Sequence, residues 1–180
     1  DLIAGPSELL IVGDETSNST TVAFDLMAQA EHDELASSIL ISSDIRLIED
    51  VKEIIKKEIK NFSRKNIIRK AFNRRGALIK VKSSKEAIEV ANKIVPEHIH
   101  LVTKDALELA RKPIKAGIIL VGEDSANGLS DYVLGPSHVL PTGKTARFFS
   151  PLSVEDFLVK SSFVNLKSSR KKSTYNELID

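Results

Sequence analysis

Five short apolar runs alternate with amphipathic stretches, and this alternation limits the chain to one broad class of fold. The runs are Glu8–Gly13 (ELLIVG), Ser38–Ser42 (SILIS), Ala77–Val81 (ALIKV), Ile99–Val102 and Gly117–Val121. Each is strand-sized and reads as a buried strand. Between them lie helical patterns. One starts in the polar, Ser/Thr-rich stretch Thr16–Thr20 and runs to about Ala30, with Gln29 continuing the apolar stripe set by Val22 and Leu26. Others span Ile45–Lys60, Arg64–Phe72, Lys85–Ile94 (stopped before Pro96) and Asp105–Lys112. The alternation predicts an α/β architecture, Rossmann-like and layered, with a largely parallel sheet and flanking helices.

After Gly122 the pattern changes. Gly122–Thr145 is rich in Gly, Ser, Pro, Asn and Asp with little periodicity, and a long irregular stretch inside a compact domain is usually functional or disordered. Leu152–Lys160 resumes helical spacing, and Ser162–Leu166 reads as one more strand. The expected organisation is an α/β domain over residues 1–150 followed by a helix–strand segment over 151–180.

At 180 residues and 42% hydrophobic content, the chain can bury a core as a single domain. No apolar run nears the roughly 18 residues of a membrane-span candidate, and the start has no secretory-signal pattern. It also has no initiator methionine: Asp-Leu-Ile-Ala-Gly-Pro-Ser-Glu reads as the interior of a longer chain. With no cysteine, disulfides and thiolate metal sites are excluded, a reducing compartment fits, and any aldehyde oxidation must proceed without a cysteine-bound intermediate. Charge is unevenly spread. Residues 1–40 hold eight acidic residues and no Lys or Arg, whereas Ile41–Lys82 holds thirteen basic against five acidic. Interleaving of Glu49, Glu53 and Glu58 with Lys52, Lys56 and Lys57 favours a solvated helix face over a nucleic-acid surface.

The four histidines draw attention to three clusters. In Gln29-Ala-Glu31-His32-Asp33, Gln29 and His32 stand at i and i+3, so both can approach one ion, and their amide oxygen and imidazole nitrogen suit a divalent cation such as Zn²⁺ or Mn²⁺. The same pair also fits a helix cap or a surface feature. In Val95-Pro96-Glu97-His98, adjacent carboxylate and imidazole at a strand mouth offer two proton-transfer groups. Neighbours in a regular strand face opposite sides, so this works at the loop edge; an ordinary surface pair is the alternative. His100, inside the strand, reads as structural. In the third cluster, Asp131 and His138 lie in a glycine-containing loop from which a carboxylate could complete a metal site, or which could simply be solvated.

The segments AGPSE (4–8), QAEHD (29–33), PEH (96–98), SDYVLGPSHVLPTG (130–143), TARF (145–148) and LSVEDF (152–157) resemble, in order and spacing, the histidinol dehydrogenase family. The resemblance runs from Asp1 to about Leu166 and covers the later part of the family's length, so the fold is expected to be incomplete relative to the family. It implies a cytoplasmic, NAD- and zinc-dependent oxidation of L-histidinol to L-histidine through the aldehyde, the last step of histidine biosynthesis, in a homodimer. By motif it implies Gln29, His32 and Asp131 as zinc ligands, His98 as the base of the alcohol step, and Glu97 as activator of the water that attacks the aldehyde. Ser7 and His138 join Gln29, His32, His98 and Asp131 in contacting the substrate. The alternative is a non-catalytic metal- or ligand-binding module derived from the same fold; the adjacent Glu97 and His98 favour the enzyme, because a binder has no need of an acid–base pair.

Departures from the family pattern carry expectations too. No G-x-G-x-x-G follows any strand, so no autonomous NAD site is expected, and the family's dinucleotide lies mostly on an earlier domain. The family's last zinc ligand, a histidine near its C-terminus supplied by the partner subunit, has no counterpart after Lys167. The polypeptide alone is therefore expected to be truncated at both ends and inactive, and neither nucleic acid nor membrane is expected as a partner.

Overall fold

The computed structural model describes residues 5–130, 132 and 134–165. Its strands are β1 (Glu8–Gly13), β2 (Ser37–Ser42), β3 (Gly76–Lys80), β4 (His98–Val102) and β5 (Ile118–Val121). They form one sheet in the order β3-β2-β1-β4-β5, with every pairing parallel. The helices are α1 (Ser19–His32), α2 (Ile45–Glu58), α3 (Lys65–Arg75), α4 (Ser84–Ile94), α5 (Ala106–Ala110) and α6 (Asn127–Ser130).

Alternation along β1 builds the layers. Leu9 and Ile11 pack with Val22, Ala23 and Leu26 of α1 and with Leu47, Ile48 and Val51 of α2. Leu10 and Val12 face the other way, against Ala87, Ile88 and Ala91 of α4 and Leu109 of α5. A sheet covered on both faces needs apolar residues at successive positions, which is why its strands read as continuous apolar runs. In β4 the alternation carries chemistry. Ile99 and Leu101 join the α4 layer, whereas His98 and His100 pair in register with Leu9 and Ile11 and so stand on the α1 side.

Local chemistry sets the ends. Asn18 caps α1, its side-chain oxygen accepting from the amides of Thr20 and Thr21 at 2.9 and 3.1 Å. α4 ends at Val95, a buried β-branched residue with φ 55°. That left-handed conformation is unfavourable for valine, and it lies directly before Pro96-Glu97-His98.

Several expectations need correction. The strand read as Ile99–Val102 begins at His98, so the Glu97–His98 pair straddles the strand mouth instead of preceding it. The helix read over Asp105–Lys112 is limited to Ala106–Ala110. Within Gly122–Thr145 the chain makes the short α6 and enters a 3₁₀ turn at Thr145–Arg147. The helix read over Leu152–Lys160 is only a 3₁₀ turn, Val154–Phe157, and residues 162–165 form no strand; Leu166 lies outside the described residues. The cause is missing support. Val154, Phe157 and Leu158 are 73, 77 and 60% exposed, so each forgoes more than half of the about 1.5–3 kcal/mol that full burial supplies, and an isolated helix shorter than about 12 residues is marginal in water.

The basic block forms solvated helix faces. Lys56 pairs with Glu53 at 2.7 Å on α2, and Lys70 of α3 pairs with Glu34 at 2.6 Å, all of them exposed or on the rim. Among the described residues no helix is long and apolar enough to cross a membrane.

Candidate active site

A pocket of about 550 Å³ opens at the amino ends of the strands. Ser7 enters from the turn before β1, Glu97 and His98 from the mouth of β4, and Gln29 and His32 from the last turn of α1. His138, Leu140 and Thr142 close it from the irregular segment, and Asn127 comes from the start of α6. The floor is buried: Gln29, Glu97, His98 and Asn127 are each at most 8% exposed. His32 and His138 stand exposed at the rim. A second cavity, about 540 Å³ between α2, α3 and β3, is lined mainly by apolar residues, Lys52, Lys56 and Arg69, and holds no acid–base pair.

Glu97 is the most heavily restrained member. Its Oε2 accepts from Ser7 Oγ at 2.6 Å and from the Glu8 amide at 3.0 Å, and lies 3.5 Å from His98 Nδ1. Burial is the largest influence and pushes the carboxyl up. The hydrogen bond and charge of His98, with the Ser7 and Glu8 bonds, outweigh it, so Glu97 ionises below the ordinary carboxyl range. The described bonds converge on Oε2, which leaves Oε1 for a molecule in the pocket.

His98 Nδ1 lies 3.2 Å from the Glu8 carbonyl. A carbonyl only accepts, so Nδ1 carries the hydrogen, and in the neutral ring the lone pair falls on Nε2. Glu8 thus serves both partners, and its side chain returns the contact by accepting from the Glu97 amide at 3.2 Å. Burial raises the Glu8 carboxyl, with the nearby Glu97 charge adding to it, against hydrogen bonds from the Glu97 and Gly143 amides. The opposite wall is close-fitting. The Gly5 amide donates to Thr142 Oγ1 at 2.6 Å, and a Cβ on Gly117 would come within 2.8 Å of the Glu97 carbonyl oxygen.

The fold therefore brings together Ser7, Gln29, His32, Glu97, His98 and His138; Asp131 lies outside the described residues. Among the described residues, no three His, Cys, Asp or Glu side chains approach closely enough to hold a metal. The donors present still suit a cation. Gln29 and His32 line one pocket from a single helix turn, and Gln29 has a buried amide nitrogen without a partner, a carboxamide end that rotation exchanges for an oxygen.

His100 is structural, as expected. Its Nδ1 meets Asp25 Oδ2 at 3.0 Å and its Nε2 meets the Gly122 carbonyl at 2.8 Å. The sequence reading missed Glu8, Asp25 and Asn127. Asp25 carried a usable signal: a carboxylate within an apolar helical stretch, at i, i+4 and i+7 with Gln29 and His32.

Open parallel sheets usually take ligands at the carboxyl ends of their strands. Here the gap between β1 and β4 at those ends is bridged by protein. Ser17 Oγ donates to the Val102 carbonyl at 2.7 Å, and Asp14 accepts from the Lys104 amide at 3.0 Å.

A family model described as histidinol dehydrogenase matches residues 1–180. The chain belongs to the histidinol dehydrogenase family. It is 42% identical over its whole length to the histidinol dehydrogenase of Bacillus cereus, covering 42% of that protein. It is 50% identical over 164 residues to that of Clostridium acetobutylicum, which takes in 91% of this chain and 38% of the relative. The crystal structure of histidinol dehydrogenase from Elizabethkingia anophelis superimposes with a TM-score of 0.89 at 29% identity, covering 99% of this chain and 43% of the other. The chain thus spans about two-fifths of the length of the relatives it matches.

Proposed function

We propose that this chain supplies the zinc- and substrate-binding catalytic part of an enzyme that oxidises L-histidinol to L-histidine through the aldehyde, with NAD as hydride acceptor. The observation that carries the reading is the convergence of Ser7, Gln29, His32, Glu97, His98 and His138 on one pocket. Zinc held by Gln29, His32 and Asp131 would fix and polarise the substrate's nitrogens as a template. The chain's own groups then move the protons. His98, its Nδ1 committed to the Glu8 carbonyl, takes the alcohol proton at Nε2. Glu97, ionised and held by Ser7, takes a proton at Oε1 from the water that adds to the aldehyde. NAD, held mainly by parts of the enzyme outside these residues, would supply the hydride acceptor for each oxidation. A carboxylate-activated water accounts for aldehyde oxidation in a cysteine-free chain. On this reading the protein works in the cytoplasm, as a homodimer.

Calorimetric zinc titration, with and without L-histidinol, tests the reading on this chain and on Gln29→Ala/His32→Ala. Zinc binding that histidinol tightens, and that the double variant loses, is the expected result. Equal binding by the variant, or none by the parent chain, overturns the site assignment for this polypeptide.

A further inference from the structure

Gln29 and Asn127 meet in the pocket wall with two buried polar atoms left over. Asn127 Nδ2 donates to Gln29 Oε1 at 3.0 Å, while Gln29 Nε2 and Asn127 Oδ1 are buried with no hydrogen-bond partner. Leaving such a buried atom unpaired costs about 1–3 kcal/mol, so an orphaned pair in a pocket wall calls for an explanation.

Asn127 is not free to drift. Its backbone amide donates to both oxygens of Asp25, at 3.0 and 3.2 Å. Asp25 is braced from β4 by His100, whose other nitrogen meets the Gly122 carbonyl. Asp25 precedes Gln29 by one turn of α1, so a single buried brace fixes the two carboxamides relative to each other.

We propose that Asn127 is a positioning residue that decides which atom of the Gln29 carboxamide faces the pocket. It donates to Oε1 in the ion-free chain and accepts from Nε2 when Oε1 turns to a cation. Turning both carboxamides by half a revolution exchanges nitrogen with oxygen, keeps one hydrogen bond between them and replaces the outward donor with an acceptor. A divalent ion binds a carboxamide through its oxygen, not its NH₂ group. The partner that orients the ligand is then Asn127, and the Asp25–His100 pair stands behind it. The inference rests on reading Gln29 and His32 as cation ligands.

The test uses the whole chain, zinc as probe, calorimetry, and NMR assignments of the Gln29 and Asn127 side-chain amides. On zinc binding, the Gln29 amide protons move downfield as they gain the Asn127 oxygen, and those of Asn127 lose the Gln29 acceptor. Asn127→Asp, which only accepts, holds Gln29 oxygen-outward beforehand: its Gln29 signals start near the zinc-bound position and zinc affinity is kept or raised. Asn127→Leu offers neither group and loses about 10- to 100-fold in zinc affinity. Bound zinc with unmoved Gln29 signals, or an Asn127→Leu chain that binds as tightly as the parent, overturns the proposal. If the parent chain binds no zinc, or Gln29→Ala/His32→Ala binds equally well, the metal reading alone fails. The positioning role is then decided without zinc: Asn127→Leu removes the donor to Gln29 Oε1 and must free the Gln29 carboxamide, read as a lower NMR order parameter of its side-chain amide nitrogen, and an unchanged value overturns it. Melting temperature and amide dispersion of both variants establish that they fold.

Discussion

The Ser7 hydroxyl and the Glu97 carboxylate meet at 2.6 Å across 90 positions of sequence, tying the turn before β1 to the mouth of β4. Ser7→Ala removes one of three groups that hold a buried carboxylate. A hydrogen bond to a charged group contributes about 1.5–3 kcal/mol, so the variant should lose stability on that order at pH 7 by denaturant unfolding. A midpoint indistinguishable from the parent chain contradicts the tie.

Glu97 should make the chain acid-labile in a definite window. Its carboxyl ionises below the ordinary value of 4.5. Its contribution to stability is therefore complete above that value and is lost as pH falls through the lower folded value. Glu97→Gln should flatten the acid side of the stability profile. An unchanged slope below pH 4.5 counts against it.

Glu8 should behave with the opposite sign. Burial raises its carboxyl above 4.5, so ionising it in the folded chain carries a penalty. The penalty begins as pH rises past 4.5 and is complete above the folded value. Glu8→Gln keeps an oxygen for the Glu97 amide and removes the charge. It should be more stable than the parent at pH 7, with the gain fading towards pH 4; urea midpoints at the two pH values decide it.

Gly117 has no room for a side chain. An added Cβ would sit 2.8 Å from the Glu97 carbonyl oxygen and 3.2 Å from Pro141, so backbone must move. Gly117→Ala should cost about 1–3 kcal/mol, as overpacking does. An alanine variant with the parent's melting temperature rules out the close approach.

The exposed apolar residues of the last described segment should matter little to this chain's own stability. Phe157 and Phe163 are 77 and 90% exposed, and substitutions at such positions usually stay within about 0.5 kcal/mol. Phe157→Ser and Phe163→Ser are expected to leave the unfolding midpoint in place.

The sheet was legible because both its faces are covered: Leu9 to Val12 had to be apolar at every position, and no alternative reading suits so short a run. The Glu97–His98 pair was legible because two scarce chemical types adjoin at a strand mouth. The roles of Glu8, Asp25 and Asn127 were not, since each depends on a partner that only the tertiary fold delivers. The helix read over Leu152–Lys160 failed for the converse reason. Its spacing is helical, but spacing describes a face and cannot say whether anything lies against it.

The choice of sheet edge also sets the sign of what the pocket welcomes. In a parallel α/β layer the helices run back against the strands, so α1 ends at His32 and α4 ends just before Glu97, both beside the pocket. A helix C-terminus carries roughly half a negative charge in its unpaired carbonyls, whereas an N-terminus is the positive end that attracts phosphates. The carboxyl edge of such a sheet therefore suits nucleotides. This edge gathers two helix carbonyl ends and the Glu97 carboxylate, so the partial charges that these helices and this carboxylate bring to it are negative.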